Sequence, residues 1–145
     1  MYTAMDLSKY IVQKCIDDNY PVSNLQLQKI LYYIQINYLK RDDFAFFDDF
    51  EAWQFGPVVP NVYYRYCTHG ASPIIFNFET PFISESDQEY INPIVELKRV
   101  LAPWDLVRET HKPNGAWAKI YQDGKGNHKV IPIDLIKEEA KRGLD

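Results

Sequence analysis

Apolar residues first recur at helical spacing close to the N-terminus, where Ala4, Leu7, Ile11 and Cys15 share one face. Thr3 and Asp6 have the spacing of a capping box, so a first helix is expected from there to about Asp18. The stretch "NYPVS" breaks it. Ser23 with Gln26 repeats the capping spacing, and Leu27, Ile30, Leu31, Ile34 and Tyr38 form a narrow apolar stripe on a second helix. The same spacing groups Gln28, Tyr32, Gln35 and Leu39 on a flank and leaves Lys29, Tyr33, Ile36 and Asn37 on the other faces. That helix is therefore expected to have neighbours on more than one side.

The period then changes. Between Arg41 and Phe55 the pattern predicts two short β segments around the turn-forming Asp48-Asp49 pair. Within "FEAWQFGPVVPNVYYRY", residues 50 to 66, Glu51, Trp53 and Phe55 alternate with Ala52 and Gln54, and Gly56-Pro57 stops the strand. Pro60 suits the first position of a helix that would run from Asn61 to His69. Beyond a proline-punctuated connection, Ser84 with Asp87 opens a helix to about Leu101 with Tyr90, Ile94, Leu97 and Leu101 on its stripe. Pro93 is expected to kink or split it. Pro103 starts another helix, a short one follows over 116–121, Val130-Ile131 reads as a strand, and an amphipathic helix over 133–142 closes the chain. The predicted fold is mainly α with a small β-hairpin or minor sheet, a single compact helical domain over residues 1–145.

Composition narrows the function classes. The 145 residues suffice for one core, and 11 tyrosines, 8 phenylalanines and 3 tryptophans argue against disorder. A net charge of −4 without any lysine or arginine run points away from nucleic acid and from anionic membranes. No apolar run is long enough to span a bilayer, and the N-terminus lacks the pattern of a signal peptide, so a cytoplasmic protein is expected. Cys15 and Cys67 lie outside any CxxC spacing and read as free, mostly buried thiols.

Candidate chemistry is sparse. "DGKGN" suggests a phosphate loop, but Lys119 stands where the first glycine belongs and no hydroxyl follows the Gly-Lys pair, so a polar turn is the better reading. Cys67 and His69, two apart near a helix end, diverge too far to act as a nucleophile pair; a cross-chain pair such as Cys67 with His111 stays open. His69, His111 and His128 have no metal-ligand spacing, and the acidic residues Asp42, Asp43, Asp48, Asp49 and Glu51 suit hairpin turns and solvated edges. No catalytic, metal or cofactor site is expected. The cluster Tyr63, Tyr64, Arg65 and Tyr66 covers a full helical turn, so some of it must face outward, and these residue types dominate binding hot spots. It roofs the core or docks a partner.

Two stretches go further. "LQLQKILYYIQINYLK" supplies Leu27, Lys29, Ile30, Leu31, Tyr32 and Gln35, and the second stretch supplies Glu51, Ala52, Trp53, Phe55, Gly56, Pro57, Val58, Val59, Pro60 and Tyr63. Together they resemble the paired motifs of the SocA-like, Panacea-domain antitoxins, a phage-associated family formerly of unknown function. "DLSKYIV", "APWDLVRETHKPNGAW" and "VIPIDLIKE" extend the likeness more weakly over most of the chain. Glu109-Thr110-His111 replaces the usual Leu-Thr-His, and Asn114-Gly115-Ala116 precedes Trp117 where proline is usual.

The resemblance implies an antitoxin that neutralises a cognate protein toxin, encoded by a neighbouring gene, through direct binding, with no catalytic residues. On that basis Lys29, Tyr33, Tyr63, Tyr64 and Arg65 are the candidate partner contacts. Leu27, Leu31, Tyr32, Gln35, Glu51, Trp53, Gly56, Pro57 and Pro60 are expected to hold the fold, with Trp53 facing the helices. Homo-oligomerisation stays open. The competing readings are a small Cys/His-dependent hydrolase or transferase and a DNA-binding regulator of its own operon.

Overall fold

A computed structural model describes residues 2–142. Among the described residues seven α-helices and a three-stranded antiparallel sheet follow in the order α1 (Ala4–Asp17), α2 (Asn24–Lys40), β1 (Glu51–Trp53), β2 (Gly56–Val58), α3 (Pro60–Tyr66), α4 (Glu85–Lys98), α5 (Pro103–Thr110), α6 (Ala116–Tyr121), β3 (Lys129–Val130) and α7 (Ile133–Lys141). Two of the three expected capping boxes form in full; at the third, Ser84 accepts from Asp87 N but its own N–H donates to the Tyr2 hydroxyl instead of to Asp87. Thr3 and Ser23 each accept from the backbone three residues on, and Asp6 and Gln26 return the bond to the cap.

Helix α2 is the axis of the fold. It touches α1, α3, α4, α5, α7 and β2. Its burial runs all round rather than along one stripe, taking in Leu27, Ile30, Leu31, Ile34 and Tyr38 and also Asn24, Gln28, Lys29 and Gln35. A buried polar group needs a partner, and each of these has one in a neighbouring segment. Asn24 Nδ2 donates to the Tyr63 carbonyl, Gln28 Oε1 accepts from Val59 N, and Lys29 Nζ donates to the Pro57 carbonyl. Gln35 accepts from Ala45 N and donates to the Phe46 carbonyl, tying down the loop after α2. The polar side chains of α2 thus fix the segments that its apolar ones cover.

Several sequence expectations need correction. No strand forms between Arg41 and Phe50; the hairpin lies later, with β1 paired to β2 through Glu51↔Val58 and Trp53↔Gly56 and turning at Gln54-Phe55. Gly56-Pro57 therefore belongs to a strand instead of ending one. Strand β3 pairs with the other edge of β1, through Glu51↔Val130, one residue earlier than expected. Helix α4 continues through Pro93, which lies on its exposed side, and its buried residues are Ile91 and Val95 while Leu97 is exposed. Helix α3 stops at Tyr66 and gives way to a tighter single turn over Cys67–His69. Cys15 is buried as expected, but Cys67 is exposed. Among the described residues no helix is long and apolar enough to cross a membrane.

Candidate partner-binding face

The corner formed by β1, β2 and α3 is built from the inside outward. Lys29, with no exposed surface, sends its amine to the Pro57 carbonyl at 3.0 Å. Burial without a counter-charge pulls its pKa down to about 7. Gly56 makes room for it: a Cβ there would stand 2.8 Å from Lys29 Cε and 2.8 Å from Thr110 Oγ1, on a backbone with φ of +120°. Only glycine fits both the space and the conformation.

A second layer stacks beside this. His111 lies flat on Trp117, with ring centres 3.6 Å apart, and Trp117 lies on Tyr121 at 4.7 Å. Desolvation, and then the nearby Lys29 charge, hold the His111 pKa below its ordinary value despite a backbone hydrogen bond with Phe55. Trp117 Nε1 donates to the Trp53 carbonyl and so clamps β1 from below. Thr110, His111 and Trp117 come from the segment that departs most from the expected pattern, yet they converge on the same corner as the first two motifs.

The outer layer is aromatic. Ala52 points into the core with no exposed surface, so the neighbouring Trp53 turns outward, opposite to the orientation expected from sequence. Its ring is half-buried among Tyr63 at 5.1 Å, Tyr64 at 5.9 Å and a stacked His128 at 4.3 Å, and Glu51 accepts its indole N–H. Tyr64 is 60% exposed, and Phe55 packs edge-on against Trp104, itself 56% exposed. A cleft of about 240 Å³ opens here, lined by Leu25, Gln28, Trp53, Phe55, Tyr63 and His128.

The candidate contacts separate accordingly. Tyr63 and Tyr64 lie on this face. Arg65 is exposed but turns the other way, its guanidinium 3.5 Å from the ring centre of Phe78. Lys29 and Tyr33 are buried, the first under Gly56 and the second beneath Lys98, whose amine is 3.9 Å from its ring centre. Lys29 is thus fully covered, whereas Tyr33 lines the floor of a separate pocket with Pro93, Ile94 and Leu97. Leu27, Leu31, Tyr32, Gln35, Gly56 and Pro57 are buried within the fold, whereas Glu51 and Pro60 are half-buried.

His128, Phe55 and Trp104 also belong to this face, which the sequence pattern does not indicate. The first enters through β3 pairing across the chain, for which the "DGKGN" turn was the available signal. That turn has its own explanation: a Cβ on Gly126 would overlap the Ile120 carbonyl, so the glycine serves close packing rather than phosphate binding. Cys67 and His111 have separate partners, since Cys67 Sγ donates to the Tyr64 carbonyl and His111 belongs to the Trp117 stack.

Comparison with known proteins gives one family and one curated relative. The family described as antitoxin SocA-like, Panacea domain, matches residues 27–118. Antitoxin SocA of Caulobacter vibrioides (strain NA1000 / CB15N) is 36% identical over 151 aligned residues, which cover 95% of this chain and 80% of the relative. No solved structure matches.

Proposed function

The chain belongs to the antitoxin SocA-like, Panacea-domain family, and from that premise we propose that it neutralises a cognate protein toxin by binding it directly. The observation that carries this reading is the outward face of Trp53, Tyr63, Tyr64 and His128, backed by the Lys29–Gly56–Trp117 layer. Large rings held by a rigid support give contact area with little loss of side-chain freedom on binding. The toxin-bearing partner is encoded next door, and complex formation takes place in the cytoplasm through one Panacea domain. Neutralisation needs neither a catalytic group of this chain nor nucleic acid.

Co-expression with the toxic product of the neighbouring gene tests the proposal. Growth should be rescued, and the two proteins should co-purify at a fixed ratio. Rescue with no detectable complex, accompanied by chemical repair of the toxin's target, would replace it with an enzymatic mechanism.

A further inference from the structure

Taking that face as the docking surface, we infer that the side chain it receives from the partner protein is an arginine, its guanidinium held by the Glu51 carboxylate and the neighbouring rings. Sheet register places the carboxylate. Residues paired across antiparallel strands point to the same face, and Glu51 pairs with Val58, which lines the cleft. Glu51 shares that face with Trp53, two residues on, and its Oε1 accepts the Trp53 indole N–H at 2.9 Å. Among the described residues its Oε2 has no hydrogen bond.

The carboxylate has no cation of its own. Among the described residues Glu51 joins no ion pair, and no lysine or arginine lines the cleft. The rings beside it are equally bare of cations. Elsewhere Arg41 lies over Tyr90, Arg65 over Phe78 and Lys98 over Tyr33, whereas among the described residues none lies over Trp53, Phe55, Tyr63 or Tyr64. His128 covers one face of Trp53, but Tyr64 and Phe55 are exposed, so ring surface stays open. A negative charge beside open rings is what a guanidinium recognises.

The cleft discriminates among other occupants. At about 240 Å³ it falls below the roughly 300 Å³ at which small-molecule pockets begin, which suits a single side chain. Leucine would satisfy the apolar wall of Leu25, Phe55 and Val58 but would desolvate the half-buried carboxylate without pairing it. An aspartate or a nucleic-acid phosphate would meet it with like charge. Lysine brings a compact, strongly hydrated charge, whereas arginine lays an apolar stem along the wall and stacks a planar head that donates to Oε2. The net charge of −4 also favours the approach of a basic partner.

The test uses the full chain, isotopically labelled, and four short peptides that differ only in a central arginine, lysine, leucine or aspartate. The arginine peptide should give saturable shifts at the Trp53 indole N–H, binding more tightly than the lysine peptide and about tenfold more tightly than the other two. Glu51→Gln keeps an oxygen for the indole while removing the charge. It should melt with the parent, weaken the arginine peptide by about tenfold and leave the leucine peptide unchanged, and added salt should likewise weaken only the two basic peptides. Equal or tighter binding of any other peptide, an arginine peptide indifferent to Glu51→Gln, or no saturable shift up to about 1 mM would overturn the inference. Toxin rescue separates this outcome from failure of the docking reading itself. If Tyr64→Ala abolishes rescue while the arginine peptide does not bind, the face stands and its basic occupant falls; if the arginine peptide binds but Tyr64→Ala rescues fully, the docking reading falls.

Discussion

Lys29 Nζ and the Pro57 carbonyl meet at 3.0 Å where the lysine has no exposed surface, and this bond joins the central helix to the strand beneath the aromatic face. An ammonium placed there has no carboxylate to offset its lost hydration. The pKa accordingly falls from 10.5 to about 7.

The consequence is a pH-dependent stability of definite sign. Between about 7 and 10.5 the unfolded chain holds a proton on Lys29 that the folded chain has released, so stability rises with pH across that window. Below it the cost is constant. His111, lowered by desolvation and then by Lys29, acts with the same sign at lower pH, losing stability as pH falls below 6.5. Tyr32, Tyr33 and Tyr38 oppose above about 10, because burial raises their pKa values and keeps them protonated only when folded. Urea unfolding between pH 7 and 9.5 should show stability climbing by up to roughly 1 kcal/mol per pH unit, with Lys29→Met flattening the climb. An unchanged slope in that variant would show that the lysine is solvated in solution.

Gly56→Ala should cost ~2–4 kcal/mol. The new methyl would overlap Lys29 and Thr110, and the backbone would still have to hold φ of +120°. The lysine tail cannot swing aside without breaking its bond to Pro57. A differential melt against the parent measures the loss, and a variant that melts with the parent would mean the corner relaxes freely.

Trp53 and Tyr64 should separate stability from binding less sharply than the sequence pattern suggests. With the Trp53 ring half-buried outside the sheet, Trp53→Ala should cost the fold about 1–2 kcal/mol rather than the larger penalty of a core tryptophan. Tyr64→Ala should cost about 0.5 kcal/mol or less, since most of the residue is in solvent. Each should weaken toxin binding by ~2 kcal/mol or more in calorimetric titration. Parent-like affinity in both variants would move the interface elsewhere.

What the sequence made legible was local. Capping boxes at Thr3 and Ser23 and the helix-starting prolines Pro60 and Pro103 act within one turn, so their spacing alone placed α1, α2, α3 and α5. Alternation located β1 but not its inward side. Ala52 takes the core because the hairpin lies against α2 and α6, and no periodicity states which parity a three-residue strand will bury. The burial of Lys29 was hidden for a related reason. It depends on a missing Cβ at Gly56, far along the chain, and on Thr110 beyond it. The aromatic face emerged only in part, since His128 reaches Trp53 through a strand pairing that spans much of the sequence.

The last prediction concerns the clamp one turn further along α2. Glu139 of α7 is 5% exposed, and its Oε1 accepts from the Tyr32 hydroxyl and from Ala116 N, each at 2.8 Å. One carboxylate thus ties α7 to the central helix and to the start of α6, the helix that carries Trp117. Glu139→Ala would strand two buried donors, at a cost of ~2–4 kcal/mol. Tyr32→Phe removes one donor and leaves the carboxylate its bond to Ala116, so it should cost only about 1 kcal/mol. Because the two residues share a bond, the double variant Tyr32→Phe, Glu139→Ala should be less destabilised than the sum of the single losses, and a double-mutant cycle in urea measures the difference. Strict additivity would mean that the hydroxyl and the carboxylate are not bonded in solution, and that α7 is held by its apolar contacts through Ile136 and Ala140 alone.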